Sequence, residues 1–336
     1  MENDFIKIRK NVFLILISPC LLFIIHKKYP NSNKAFIYLY EKNKHDKIIE
    51  ESGGLNMKTG LVLEGGGMRG VYTTGVLDAF QDHNITFDYI IGVSAGACHA
   101  TSFLSQQRGR SFLINAEKSQ DKRYVSLRNF IKTGSVFGMD FIFHEIPDKL
   151  VPFDYETFDN NPTQFVVGVT DVLTGKPYYF DSPKKENVNN VAAASSAIPV
   201  FSPMVTIQGK QYLDGGTSDP IPIQKALDDG CDKLVIVLTR PRDYEKSPEG
   251  FRAVYKRKFK NYPAMINTLD HRHEVYNKER AFAFELEKQN KAIVLAQSET
   301  VPIGRFEKNK DKLTHLYEIG LHDAQAVIEQ IKMWQK

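Results

Sequence analysis

The stretch 87–97, Phe-Asp-Tyr-Ile-Ile-Gly-Val-Ser-Ala-Gly-Ala, leaves few folds open to this chain. Tyr89 to Val93 is apolar and β-branched enough for a short buried strand, and Ser94 follows at once, with Gly92 and Gly96 two residues to either side. That is G-x-S-x-G, the nucleophile elbow pattern, in which a sharp strand-to-helix turn pushes a serine hydroxyl out of a sheet. A larger residue at 92 or 96 would crowd the turn, and Ala95 and Ala97 keep the bend small as the chain enters a helix. The same residues also occur as a plain Gly/Ser turn, so the rest of the sequence decides which reading holds.

A second glycine turn stands upstream. Thr59 to Glu64 reads as a central strand running into Gly65-Gly66-Gly67-Met68-Arg69-Gly70, and a helix follows with Val71, Leu77, Ala79 and Phe80 among its apolar positions. Strand, glycine turn and helix make an anion cradle, because successive backbone N–H groups point one way beside a helix N-terminus. Gly65, Gly67 and Gly70 also satisfy G-x-G-x-x-G, the dinucleotide fingerprint, which wants an acidic residue at the end of the next strand. Asp88, 18 positions beyond Gly70, precedes the strand 89–93 and so sits at its wrong end; there is no G-K-[ST] either. Nucleotide binding is disfavoured on both counts.

Further strands are expected over 164–170, 177–180, 205–207, 211–213, 234–238 and 292–295, with helices over 111–117, 187–196 and 222–229. The chain from 251 to 289 reads as mainly helical, and 313–334 as one or two helices with Gly320 as the break. Strands that are continuous hydrophobic runs, alternating with helices, mean an α/β layered domain with helices on both faces of the sheet. Residues 126–150 carry Phe130, Phe137, Phe141, Ile142, Phe143 and Ile146. They either pack a layer over the sheet or line a pocket for an acyl chain near Ser94.

Residues 1–56 differ from the rest. Lys7, Arg9 and Lys10 precede the 14-residue run Val12 to Ile25, interrupted by Ser18, Pro19 and Cys20 and closed by His26, Lys27 and Lys28. A spanning helix wants about 20 apolar residues. The run instead fits a signal-peptide core or a short anchor, and without a small-x-small cleavage site after it. Equally, Met57 stands just before the first good strand, which makes 1–56 an upstream extension without a folding role and 57–336 the folded domain. Nine Lys/Arg against six Asp/Glu put +3 of the total +4 charge into residues 1–56, leaving +1 for the remainder. A body that close to neutral has no electrostatic footprint for nucleic acid. The three cysteines, Cys20, Cys98 and Cys231, form neither a disulfide framework nor a metal-ligand cluster, which fits a reducing, cytoplasmic setting, with membrane contact through 12–25 if that segment is an anchor.

Three elements converge in kind: Ser94 as elbow nucleophile, the 65–70 turn as a bank of N–H donors, and Asp214 at a strand end before Gly215 and Gly216. Acyl transfer needs a nucleophile, a base and donors where the oxyanion forms. On these residues the sequence resembles the patatin-like phospholipase family over most of 59–240. Glu64 to Gly70 looks like its oxyanion turn, Gly92-Val93-Ser94-Ala95-Gly96 like its elbow, Ala194-Ser195-Ser196-Ala197-Ile198-Pro199 like its Ala-Ser helix, and Asp214-Gly215-Gly216 like its Asp-Gly-Gly box. The tail, 241–336, mainly helical with one strand, resembles a bacterial branch described as predicted esterases, whose chains start near the equivalent of Met57.

The resemblance implies a Ser94–Asp214 dyad in place of a triad, with N–H groups of Gly65, Gly66, Gly67 and Met68 as oxyanion donors, a lipid or other ester as substrate, and no metal or organic cofactor. It leaves Arg69 either an anchor for phosphate or carboxylate or a structural ion-pair partner. A Ser…Asp…His order would need a histidine after Asp214; His271, His273, His315 and His322 stand in helical, charge-rich text. His99, five residues past Ser94 in the elbow helix, is expected to point away. The competing functional reading is a membrane-surface or scaffold protein that keeps the fold without turnover.

Overall fold

The alternation of apolar runs and amphipathic segments is realised as a mixed sheet between two helical layers. The computed structural model describes residues 57–335 and, nearer the N-terminus, the backbone of three short strands. These are β1 (Phe23–Lys28), β2 (Ala35–Tyr40) and β3 (Lys47–Ile49), antiparallel in that order, within a unit spanning Met1–Asn56. The apolar run 12–25 lies outside the described residues apart from 23–25, which open β1. Among the described residues no helix is long and apolar enough to cross a membrane.

The second unit, Met57–Lys336, begins with β4 (Thr59–Leu63), α1 (Val71–Asp82), β5 (Tyr89–Val93) and α2 (Ala95–Leu104). Helices α3 (Arg110–Ala116) and α4 (Leu127–Thr133), a π-helical stretch Phe141–Leu150 and α5 (Tyr155–Asn160) follow. The chain returns to the sheet as β6 (Gln164–Asp171) and β7 (Pro177–Asp181), then α6 (Val188–Ser195) and the hairpin β8 (Val205–Ile207) and β9 (Lys210–Asp214). After these come α7 (Ile223–Asp228), β10 (Lys233–Val237), α8 (Arg252–Lys258) and α9 (Pro263–Lys288). The unit closes with β11 (Ala292–Leu295), α10 (Lys310–Gln325) and α11 (Ile328–Trp334).

The strand order is β11-β10-β4-β5-β6-β9-β8, with β7 also paired to β6. Strands β11, β10, β4, β5 and β6 run parallel, and β7, β8 and β9 antiparallel to their partners. Side chains alternate between the two faces of a strand, and the core divides accordingly. Leu61, Leu63, Ile90 and Val235 join Val76, Phe80 and Leu316 of α1 and α10 on one face, while Val62, Ile91 and Ile236 join Tyr276, Ala283 and Leu286 of α9 on the other. Both faces being covered explains why these strands read as unbroken apolar runs.

One expected helix break is absent. α10 passes straight through Gly320 and ends only at Gln325. A Cβ on Gly320 would lie 2.2 Å from the Tyr72 carbonyl oxygen, and one on Gly75 would lie 2.1 Å from that of Tyr317. The two glycines therefore let α1 and α10 cross with their backbones almost touching. Tyr72 Oη donates to Asp323 Oδ2 at 3.0 Å and Tyr317 Oη to Asp78 Oδ2 at 2.8 Å across the crossing. Glycine costs a helix about 1 kcal/mol relative to alanine; here tertiary packing outweighs that local penalty.

Candidate active site

The site lies where two strands stop against a third. β5 runs parallel to β6 and ends with Val93 opposite Gly168; β9 runs antiparallel to β6 and ends with Asp214 opposite Val169. β7 pairs with both Gly168 and Val169. A strand residue has two edges only, so β5 and β9 share the other edge of β6 and meet head to head. The residues at their ends, Ser94 and Asp214, are thereby set side by side: Ser94 Oγ donates to Asp214 Oδ2 at 2.7 Å, and both residues are 7% exposed.

Ser94 has φ +53° and ψ −125°, a backbone conformation that costs a non-glycine residue of order 1–3 kcal/mol. The neighbouring glycines make the bend geometrically possible. A Cβ on Gly92 would lie 2.7 Å from the Ala97 nitrogen, and one on Gly96 2.5 Å from the Leu63 carbonyl oxygen. The bend is held from α6: Ser94 N–H donates to Ser195 Oγ at 2.8 Å, and Ser195 Oγ donates to the Gly168 carbonyl at 2.7 Å. Ser195 is fully buried. The small residues of α6 thus let a serine hydroxyl reach both the elbow and the β6 residue that registers it.

Asp214 is fixed at every polar atom. Its Oδ1 accepts from Gly216 N–H at 2.8 Å, its N–H donates to the Ala197 carbonyl at 2.9 Å, and its carbonyl accepts from Thr170 Oγ1 at 2.8 Å. Gly215 lies so close to Gly168 that a side chain there would meet the Gly168 carbonyl. Burial pushes the Asp214 carboxyl above its ordinary value, partly opposed by the Ser94 hydrogen bond and by the Arg272 and Arg305 guanidiniums. A buried carboxylate with a raised pKa is a stronger base than a solvated one.

The glycine turn faces this pair. The N–H groups of Gly65, Gly66 and Gly67 have no acceptor among the described residues, and the three line the same cavity as Ser94 and Asp214. Met68 does not belong with them: its N–H donates to the Arg305 carbonyl at 3.2 Å and is spent there. Gly70 packs against His99 and Ala95, where a Cβ would lie 2.8 Å from His99 Nε2. Arg69 forms no ion pair among the described residues, and its buried Nε has no acceptor.

Two cavities meet at Ser94. One, of about 370 Å³, is the more polar of the two and contains Asp214, the 65–67 turn, Arg69, Arg240 and Arg305 in its wall. The other, of about 130 Å³, runs from Ser94 between Cys98, Phe137, Met139, Ile142, Phe143 and Ile198. The aromatic segment 126–150 therefore does both things its composition allows. Phe141 and Ile146 are buried in a small core with Tyr124, whereas Phe137, Ile142 and Phe143 face the cavity.

Among the described residues, no histidine hydrogen-bonds to Ser94. His271 Nδ1 pairs with the Asn267 carbonyl, His315 with Glu299 and His322 with Asp323, all exposed, and His273 lies near Glu274; none of the four lines either cavity. His99, expected to point away, instead contributes to the wall of the apolar cavity but makes no bond to Ser94. Burial pulls its imidazole down to about 4, so it is neutral at pH 7. Asp88 accepts from the Thr59 N–H and Oγ1 at the opposite end of β5 from Ser94. Residues with no sequence signal of their own complete the site. Arg272, from α9, donates to the Gly216 carbonyl at 2.6 Å and pairs with Glu249, and Arg305 approaches from the loop before α10.

Residues 61–227 match the family model described as patatin-like phospholipase, and residues 262–336 match a domain of unknown function, DUF6363. The uncharacterized protein YjjU of Escherichia coli is 31% identical over 198 residues, 57% of this chain and 55% of its own length. Lysophospholipase NTE1 of Scheffersomyces stipitis is 23% identical over 303 residues, 84% of this chain and 18% of its own. Among solved structures, VipD from Legionella pneumophila aligns with 94% of this chain and 71% of its own at 12% identity, with a TM-score of 0.42. The chain thus spans about half the length of the first curated relative and under a fifth of the second.

Proposed function

Residues 61–227 are a patatin-like phospholipase domain, and from that footing we propose that the chain is a serine acyl hydrolase of lipid esters, working through Ser94 and Asp214. The observation that carries this reading is the 2.7 Å hydrogen bond from Ser94 Oγ to Asp214 Oδ2 at the junction of an apolar and a polar cavity. The acyl chain enters the apolar cavity, and the alcohol part of the ester occupies the polar one. Ser94 Oγ attacks the carbonyl carbon while its proton passes to Asp214 Oδ2. The tetrahedral oxyanion accepts hydrogen bonds from N–H groups of the 65–67 turn; such a donor is worth about 3–4 kcal/mol in a hydrolase oxyanion hole. Collapse expels the alcohol, which takes the proton from Asp214 and leaves an acyl-Ser94 ester. Asp214 then takes a proton from water as the water attacks that ester, and the acid leaves with Ser94 reprotonated.

The name of the lysophospholipase relative favours a lipid ester, and so does the aromatic wall of the smaller cavity. The test is turnover of a p-nitrophenyl ester chain-length series and of lysophospholipids by the full chain, by Ser94→Ala and by Asp214→Asn. The proposal expects both variants to lose turnover while His271→Ala and His315→Ala keep it. Full activity in Ser94→Ala sinks the proposal, as does a wild-type protein that binds lipid but turns over none of the esters, the behaviour of a scaffold.

A further inference from the structure

Among the described residues, three arginines in the wall of the larger cavity make no side-chain hydrogen bond or ion pair. The guanidiniums of Arg69, Arg240 and Arg305 have no hydrogen-bond acceptor and no ion-pair partner among the described residues; Arg240 only stacks on Tyr244, 4.3 Å from the ring centre. Each other charged side chain of that wall has a hydrogen-bond or ion-pair partner, Asp214 through Ser94 Oγ. Lys246 and Arg272 share Glu249, and Glu64 accepts from Thr239 N–H and Tyr276 Oη. These three arginines come from distant stretches: the glycine turn, the exit of β10 and the loop before α10. They are close enough to repel one another: burial, then Arg240 and Arg305, pull the Arg69 guanidinium down to about 10 against the opposing pull of Glu64, and burial and Arg272, with a smaller part from Arg240, lower Arg305 against the opposing pull of Asp214 and Glu249. Partly buried, mutually repelling cations without acceptors are costly to a fold, and a bound anion relieves that cost.

We propose that Arg69, Arg240 and Arg305 form a subsite for a phosphate monoester, so that the preferred substrates are acyl esters whose alcohol carries a terminal phosphate. This rests on the hydrolase reading, because the cavity that holds the three arginines is the one that holds Ser94, Asp214 and the 65–67 turn. A terminal phosphate carries close to two negative charges and three acceptor oxygens, which suits three guanidiniums better than the single charge of a diester. Two of the three, Arg240 and Arg305, lie outside the matched phospholipase domain, and Arg305 falls in the segment matched by DUF6363. The C-terminal segment then supplies selectivity to a site whose reacting groups lie upstream.

Binding and turnover are read separately. Thermal melting of Ser94→Ala with inorganic phosphate tests the subsite without catalysis: phosphate is expected to raise the melting temperature, and the shift to vanish when Arg240→Gln and Arg305→Gln are added. Turnover of a lysophosphatidic acid, a lysophosphatidylcholine and a monoacylglycerol by the full chain tests the substrate. The ratio of kcat/KM for the phosphate monoester over the neutral ester is expected to exceed about tenfold and to fall at least tenfold in Arg240→Gln or Arg305→Gln, since a hydrogen bond to a charged group is worth about 1.5–3 kcal/mol. No phosphate shift in Ser94→Ala overturns the subsite. A phosphate shift with no preference among the lipids overturns the substrate assignment and makes free phosphate the occupant. If no ester is turned over, the hydrolase reading fails, and the melting experiment still decides the subsite.

Discussion

Replacing Ser195 with alanine removes one oxygen from the protein and two hydrogen bonds, one to the elbow and one to β6. Ser195 Oγ accepts from Ser94 N–H at 2.8 Å and donates to the Gly168 carbonyl at 2.7 Å, and the residue is fully buried. A buried polar group left without a partner costs about 1–3 kcal/mol. Gly168 stays in its ladder with β5 and β7, so the larger share falls on the Ser94 N–H. We expect Ser195→Ala to lose about 2–4 kcal/mol in urea unfolding followed by circular dichroism. A second effect adds to this. The freed elbow no longer has to hold φ +53°, and a relaxation of about 1 Å at a reacting atom costs about 100-fold in rate, or about 2.7 kcal/mol of barrier. Ester turnover should therefore fall by about that factor even where the variant is fully folded. Ser196→Ala is the matched control: its hydroxyl makes only a 3.4 Å contact with Cys98 Sγ, and its stability should stay within about 0.5 kcal/mol of wild type. If Ser195→Ala matches that control in stability and keeps turnover within about threefold of wild type, α6 does not hold the elbow and the account given above is wrong.

Four other outcomes are expected. Asp214 has to be ionised to act as a base, and burial raises its carboxyl, so kcat/KM should fall on the acid side with an apparent pKa above the ordinary value of about 4; a limb at or below that value contradicts the assignment. The same shift has a stability sign: the cost of the ionised group is absent below about pH 4 and grows as pH rises through the raised pKa, so the melting-temperature advantage of Asp214→Asn should be larger at pH 8 than at pH 5. Gly320→Ala should cost at least about 1–3 kcal/mol, because its Cβ would lie 2.2 Å from the Tyr72 carbonyl; a variant as stable as wild type in calorimetry would mean that α1 and α10 do not cross in backbone contact. Ile142→Trp, in the wall of the apolar cavity, should shift the p-nitrophenyl ester profile toward short chains, and an unchanged profile would place the acyl group elsewhere.

What the sequence makes legible here is whatever depends on near neighbours. Gly92 and Gly96 announce the elbow because the residues they must avoid, Ala97 and Leu63, belong to the same bend or the adjoining strand. The β4, β5 and β10 runs are readable because both faces of each are buried. Long-range partners leave no such trace. Gly320 looks like a helix break until Tyr72 is set against it. Met68 looks like an oxyanion donor until the Arg305 carbonyl takes its N–H. Arg240 and Arg305 are single basic residues in loops, and only the folded chain brings them into one cavity with Arg69. The segment 126–150 could not be assigned by composition because it is divided between a core and a cavity wall, residue by residue.

The shared edge of β6 has a consequence for how such a chain can change over generations. The spacing between Ser94 and Asp214 is set by one peptide unit, the link from Gly168 to Val169, against which β5 and β9 stop. Nothing between α2 and β6 enters that measurement. Phe137, Ile142 and Phe143, which wall the apolar cavity, lie in that intervening stretch. Insertions or deletions there would reshape the cavity proposed for the acyl chain and leave the pairings of Val93 with Gly168 and Asp214 with Val169 in place. On the proposed reading, selectivity for the acyl part can therefore vary through 105–163 while the strand pairings that set Ser94 beside Asp214 are kept.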